Sequence, residues 1–301
     1  MDRTTEGWIS GFIGVLIFSG SLPATRVAVL DIDPLFLTLA RATIAGLLGL
    51  ALLLALRQKP PAWRDLPSLA IVSLGVVIGF PLLTALALQH ITTANSIIFV
   101  GLLPLATAIF GILRGGEHPQ PAFWLFSGLG AAFVAGFALL QGSSISPVGS
   151  LLMIAAILLC GLGYAEGAKL ARTLGGWQVI SWALVLSLPL TAGFMLLNLP
   201  GSWSGIGMPA WWGLAYVSLF SMLIGFVFWY RGLALGGVAG VSQLQLLQPF
   251  FGLLLAALLL KETIGWAMIA VNLAVIACVV GAKHFAKPQF AKPQATAARA
   301  R

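Results

Sequence analysis

Ten apolar stretches follow one another between residues 8 and 284, separated only by short polar connections. They run near 8–28, 35–56, 68–88, 93–113, 121–140, 148–170, 177–198, 210–230, 238–260 and 264–284. A helix rises about 1.5 Å per residue and the hydrocarbon core of a bilayer is about 30 Å thick, so about 20 apolar residues make one crossing. The connections carry helix-breaking chemistry, as in Asp31-Ile32-Asp33-Pro34, Gln58-Lys59-Pro60-Pro61, Gly175-Gly176 and Pro200-Gly201-Ser202. The pattern predicts an all-α integral membrane protein with ten transmembrane helices. Composition excludes the water-soluble alternative. Only 8% of the 301 residues are charged and the mean hydropathy is +1.02, whereas a soluble domain carries roughly a quarter charged residues.

The net charge of +8 does not describe a nucleic-acid surface, because the bases fall between the apolar stretches and in the tail. With a cytoplasmic N-terminus, thirteen of the sixteen bases lie on the inside, including Arg3, Arg57, Lys59, Arg64, Arg114, Lys169, Arg172 and Arg231. The outside loops hold only Lys261, while Arg26 and Arg41 fall within or at the edge of spans. This bias predicts an inner-membrane protein with both termini cytoplasmic. Around Asp2, Arg3 and Glu6 there is no positive lead-in, so the first stretch is expected to be a retained span rather than a cleaved leader. Cys160 and Cys278 sit in apolar runs, and His90, His118 and His284 share no ligand spacing. No metal or cofactor is expected.

An internal repeat organises the chain. Pro104 is followed by Glu117, and Pro249 by Glu262, at the same spacing; the two pairs lie 145 residues apart. At that offset Ala94 also matches Ala239, and Leu102 matches Leu247. A unit of this length holds five spans, and an odd number makes the second copy enter from the opposite side. The expected organisation is a first half over 1–147, an inverted second half over 148–284 and a basic, low-complexity cytoplasmic tail over 285–301. Inverted repeats place a substrate site near the midplane between the halves.

Two five-helix halves, each with a fourth-helix proline and a Glu at that helix's end, resemble the drug/metabolite transporter superfamily, EamA type. Arg41 in Leu39-Ala40-Arg41-Ala42 is similar to an arginine that recurs there, although no arginine aligns with it in the second half. The resemblance covers residues 8–284. It implies a secondary transporter that exports small metabolites by alternating access. The superfamily's aromatic amino-acid exporters are the nearest in character, which implies a neutral or aromatic amino acid as substrate. The expected partners are that small molecule and membrane lipid, with no nucleic acid and no obligate protein.

Polar groups inside a membrane are costly, so they mark candidate sites. Asn95 opens the fourth span, and Ser242, Gln245 and Gln248 precede Pro249 in the ninth. Their amides offer donors and acceptors suited to a zwitterion, or they hydrogen-bond between helices. Phe99, Trp229 and Tyr230 are candidate walls for an aromatic ring, or packing residues. Pro104 and Pro249 are expected hinges, each freeing a carbonyl four residues earlier: that of Val100 and that of Gln245. Glu166 and Lys169, three apart on one helix, are expected to pair as a gate or an interfacial ion pair. Arg41 is expected near the outer face, as a gate or a headgroup anchor. Glu117 and Glu262 are read as caps of the following helices. An intramembrane enzyme is the competing class, but the chain has no Gly-x-Ser-x-Gly or His-Glu-x-x-His motif and no His/Cys cluster. A channel would need a charged or carbonyl-lined filter, which is not evident.

Overall fold

The computed structural model describes residues 2–87, 89–91, 96, 99–115, 119–140, 146–248, 250–252, 254–255 and 266–286. Asn95, Pro249, Glu117, Glu262 and residues 287–301 therefore lie outside the described residues. Those described form helices and turns, without a strand among them. Helix α1 spans Arg3–Ala28, α2 Pro34–Ala55 and α3 Trp63–Ala87. Leu103–Gly115 is α4 and Pro121–Leu140 is α5. Helix α6 spans Pro147–Ala171, α7 Gly176–Leu197 and α8 Met208–Gly236. Val238–Ser242 is α9, which tightens into a 3-10 turn over Gln243–Leu247, and Trp266–Phe285 is α10. Six of these, α1 to α3 and α6 to α8, are long and apolar enough to cross a membrane, and three shorter apolar helices lie within α4, α5 and α10.

The predicted breakers set the helix ends. The Asp33 carboxylate accepts from the amides of Leu35 and Phe36 at 2.9 and 3.0 Å, with Pro34 in the first turn. This combination satisfies donors that a helix start leaves open. Ser146 and Pro147 open α6 in the same way. Gly175 and Gly237 precede α7 and α9 at φ 96° and 88°, a region that side chains rarely enter.

Packing pairs α1 with α8, α3 with α6, α2 with α7, α4 with both α6 and α9, and α5 with α10. The α1–α8 seam has no room for side chains: a Cβ on Gly232 would stand 2.6 Å from the Gly11 nitrogen. Such small-residue seams let helices in lipid gain dispersion contact where no hydrophobic drive exists. Ser10 Oγ crosses the same seam and donates to the Phe228 carbonyl at 2.8 Å. Leucines and tryptophans such as Leu54, Leu151, Leu197 and Trp266 face outward, as lipid contact requires.

Helix α1 is interrupted at Gly20, and two other helices carry π-helical segments. A π-helical segment runs through Ser73–Gly79 in α3, and another through Val217–Ile224 in α8. Their ends, Gly79 and Ile224, are 145 residues apart. The N-terminus of α1 lies beside the C-terminus of α10, where Lys283 Nζ sits 4.8 Å from the ring of Trp8. Both ends of the bundle's chain thus meet at one face, called the terminal face below.

Candidate functional site

Between α1, α2, α3, α4, α6 and α8 lies a cavity of about 70 Å3. A single water needs about 10–15 Å3 on this measure, so the space holds several. It is lined by apolar walls, among them Phe18, Leu22, Val76, Phe80 and Phe226. Polar groups enter from Ser21, Thr25, Arg41, Thr84, Ser221 and Gln248. Both π segments border it, through Val76 in α3 and Ser221 in α8. The wider turn of a π segment re-aims the side chains around it, which is why such segments recur at functional sites.

Arg41 is buried at 9% exposure, and its Nη2 donates to Ser221 Oγ at 3.2 Å. Its Nε finds no acceptor among the described residues. Ser221 Oγ also accepts from Ser21 Oγ at 2.7 Å, which ties α1, α2 and α8 around one hydroxyl. Among the described residues no Asp or Glu lines the cavity.

Towards the terminal face the cavity ends on an aromatic layer. Phe18 packs on Phe226 with ring centroids 4.8 Å apart, and Tyr164 on Trp229 at 5.4 Å. Trp229 and Tyr230 are fully buried, and the Tyr230 hydroxyl donates to the Gly163 carbonyl at 3.3 Å. Gln245 is fully buried with its amide in polar contact with the Tyr164 hydroxyl, and among the described residues neither that amide nor Trp229 Nε1 makes a hydrogen bond of good geometry.

Of the residues singled out in the sequence, Gln248 and Arg41 line the cavity. Gln248 Nε2 donates to the Phe18 carbonyl at 3.4 Å. Gln245, Trp229 and Tyr230 lie in the layer beneath it. Ser242 Oγ donates to the Ala239 carbonyl at 3.0 Å and contacts the Pro104 carbonyl at 3.4 Å, which joins α9 to α4. Phe99 is half-buried and packs against the core without itself lining the cavity. Pro104 is the second residue of α4, just after a turn at 101–102, where its missing amide costs little. The Gln245 carbonyl, expected to be free, accepts from the Gln248 amide because the chain tightens to 3-10 there.

Glu166 is fully buried but does not face Lys169, which is exposed. It forms an ion pair with Arg114 of α4 and accepts from Ser68 Oγ of α3 at 2.7 Å. A partner from a neighbouring helix reaches a buried carboxylate directly, while the long Lys169 stem turns to the surface. Sequence reasoning also passed over Phe18, Ser21, Thr84, Tyr164, Ser221 and Phe226. Ser21 and Thr25 lie four apart just after Gly20, and Ser218 and Ser221 lie three apart. Those small polar pairs on one helix face were the available signal.

These features define a multi-pass membrane protein built around an internal cavity. Residues 5–139 and 147–282 each match the EamA-like transporter family, and the chain belongs to that family. The uncharacterized transporter YdeK of Bacillus subtilis is 69% identical over 287 residues, covering 95% of this chain and all of the relative. An uncharacterized transporter of Archaeoglobus fulgidus is 24% identical across 82% of this chain and 87% of its own length. An uncharacterized Pseudomonas aeruginosa protein is 29% identical across 88% of this chain and 90% of its own. One solved crystal structure matches with a TM-score of 0.78 at 21% identity, covering 94% of this chain and 98% of that one. That likeness establishes the fold. The chain is a transporter of the EamA-like family.

Proposed function

We propose that the chain is a secondary transporter that exports a small organic solute across the inner membrane by alternating access, with both termini cytoplasmic. The substrate we favour is a neutral or aromatic amino acid. The observation that carries this reading is the cavity's position between two matched halves. Val76 and Ser221, Pro81 and Phe226, and Leu103 and Gln248 all line it, and each pair is 145 residues apart. The π segments match at nearly the same offset. Helix pairing agrees: α1–α8 and α6–α3 exchange under that offset, while α2–α7 and α5–α10 map onto themselves. We therefore take residues 1–147 and 148–284 as two inverted five-helix repeats in a ten-helix arrangement, with 285–301 as the tail.

In such an arrangement each half rocks against the other around a fixed site. The aromatic layer and the Arg114–Glu166–Ser68 cluster bar the route from the cavity to the terminal face. The conformation described is then the one closed on that side. Phe18, Phe80 and Phe226 supply walls for an apolar or aromatic side chain. Counterflow into liposomes tests the reading: preloaded phenylalanine should drive uptake of labelled phenylalanine or tryptophan above that of empty vesicles. Uptake that is linear in concentration and insensitive to preloading would mean a channel. Absence of counterflow for every amino acid would remove them as the substrate class.

A further inference from the structure

Resting on the transport reading, we propose that the cavity recognises its solute by a carboxylate placed on Arg41 and Ser221. It makes no matching demand for an ammonium group, so its substrate class is the small monocarboxylate with an apolar body.

A guanidinium held away from water needs a counter-charge, and this one has none among the described residues. Each acidic side chain there is engaged or placed elsewhere. Asp33 caps α2, and Asp31 accepts from the Gly207 amide at 3.0 Å. Glu6 pairs with Arg231, Asp65 with Arg64 and Glu166 with Arg114. Asp2 precedes α1 at the terminal face. Arg41 still holds an unspent donor at Nε, and that atom is buried. Ser221 accepts from both Arg41 and Ser21, which leaves its own proton to donate. Arg41 and Ser221 both line the cavity, and a guanidinium beside a hydroxyl is the complement of a carboxylate, whose planar shape suits the fork of an arginine.

The rest of the lining has a different chemistry. Phe18, Phe80 and Phe226 accept an apolar body, and an ammonium would meet hydroxyls and one amide with no carboxylate to neutralise it. A solute of charge −1 cancels Arg41, whereas a zwitterion cancels it and brings a second uncompensated charge. Amino acids thus enter as carboxylates, with the amino group tolerated. Amines and carboxamides bind more weakly than the matching acids.

The test is equilibrium binding to the purified full chain in detergent, with labelled 3-phenylpropanoate as the probe. Phenylalanine, benzoate, phenethylamine and 3-phenylpropanamide compete. The acids should compete, and the amine and the amide should be weaker by at least about tenfold, the usual range for losing a charge-assisted hydrogen bond. Arg41→Gln should weaken 3-phenylpropanoate by about the same factor and leave the amide unchanged, with Arg41→Lys in between. Should Arg41→Gln fail to fold, Ser221→Ala reads the same preference with the charge intact and should lower acid binding several-fold. Equal binding of acid and amide, or an Arg41→Gln chain that binds the acid as before, overturns the assignment. So does failure of every acid to bind. Counterflow of an uncharged solute in liposomes would then keep the transport reading while the carboxylate site falls.

Discussion

Replacing Arg114 by Met should destabilise the protein more than replacing Glu166 by Gln, although Glu166 is the buried partner. The Glu166 carboxylate is 0% exposed, while the Arg114 side chain is 46% exposed. Met keeps the stem of Arg114 but leaves a buried anion with only the Ser68 hydroxyl. Stranding one member of a fully buried pair costs about 3–5 kcal/mol. Water reaches nearly half of Arg114, so we discount this by about half, to about 2 kcal/mol. Glu166→Gln removes the charge, keeps an acceptor for Ser68 and leaves Arg114 free to turn to water, so about 1 kcal/mol is expected. In the double variant no buried charge is stranded, and its loss should fall short of the sum by about 1–2 kcal/mol. Reversible unfolding in mixed micelles, followed by tryptophan fluorescence, measures all four corners of the cycle. Losses that add within about 0.5 kcal/mol would refute the coupling. A Lys169→Met variant serves as the internal control. Lys169 is exposed and outside the pair, so its replacement should change stability by less than about 0.5 kcal/mol.

The seam between α1 and α8 predicts that Gly232→Val lowers stability by about 1–3 kcal/mol or more, because its Cβ would press on the Gly11 backbone. Gly128→Ala meets nothing within 4 Å and should be neutral or stabilising in the same unfolding assay; equal losses at both sites would contradict the packing. Gln245→Leu removes a buried amide whose polar contact is the Tyr164 hydroxyl, so it should lower transport while the chain still folds into the membrane. A variant that transports as fast as the parent would show that this amide serves no solute. For topology, a cysteine at Ala298 should resist an impermeant maleimide in intact cells and one at Ser204 should react; the reverse pattern would invert the orientation.

The fold was legible because the physics that sets it is local. Scarce charge, stretches long enough to span, and breakers such as Asp33-Pro34 and Gly175 each act within a few residues of where they are written. The site was less legible because its chemistry is assembled from afar. Glu166 has a cation three residues away in Lys169, yet it takes Arg114, 52 residues distant, since α4 presents that guanidinium to the buried face of α6. Arg41 lies seven residues into α2, close enough to the helix start to look like an anchor, but the bend at Gly20 and the π segment of α8 bring Ser21 and Ser221 to it. A count of polar residues picked out the ninth span, where Ser242 Oγ and Gln243 Nε2 donate to the Ala239 carbonyl and, among the described residues, Gln248 is the one that reaches the cavity. Neither π segment has a composition that announces it. The repeat, once laid over the cavity, carries more information than the polar count did. Of its matched lining pairs, the first half gives Val76, Pro81 and Leu103, and the second gives Ser221, Phe226 and Gln248. Two of the three exchanges place a hydrogen-bonding group opposite an apolar one. Polar groups nevertheless come from both sides, Ser21, Thr25, Arg41 and Thr84 from residues 1–147 and Ser221 and Gln248 from residues 148–284, and among the described residues Arg41 is the one charged side chain that faces the cavity.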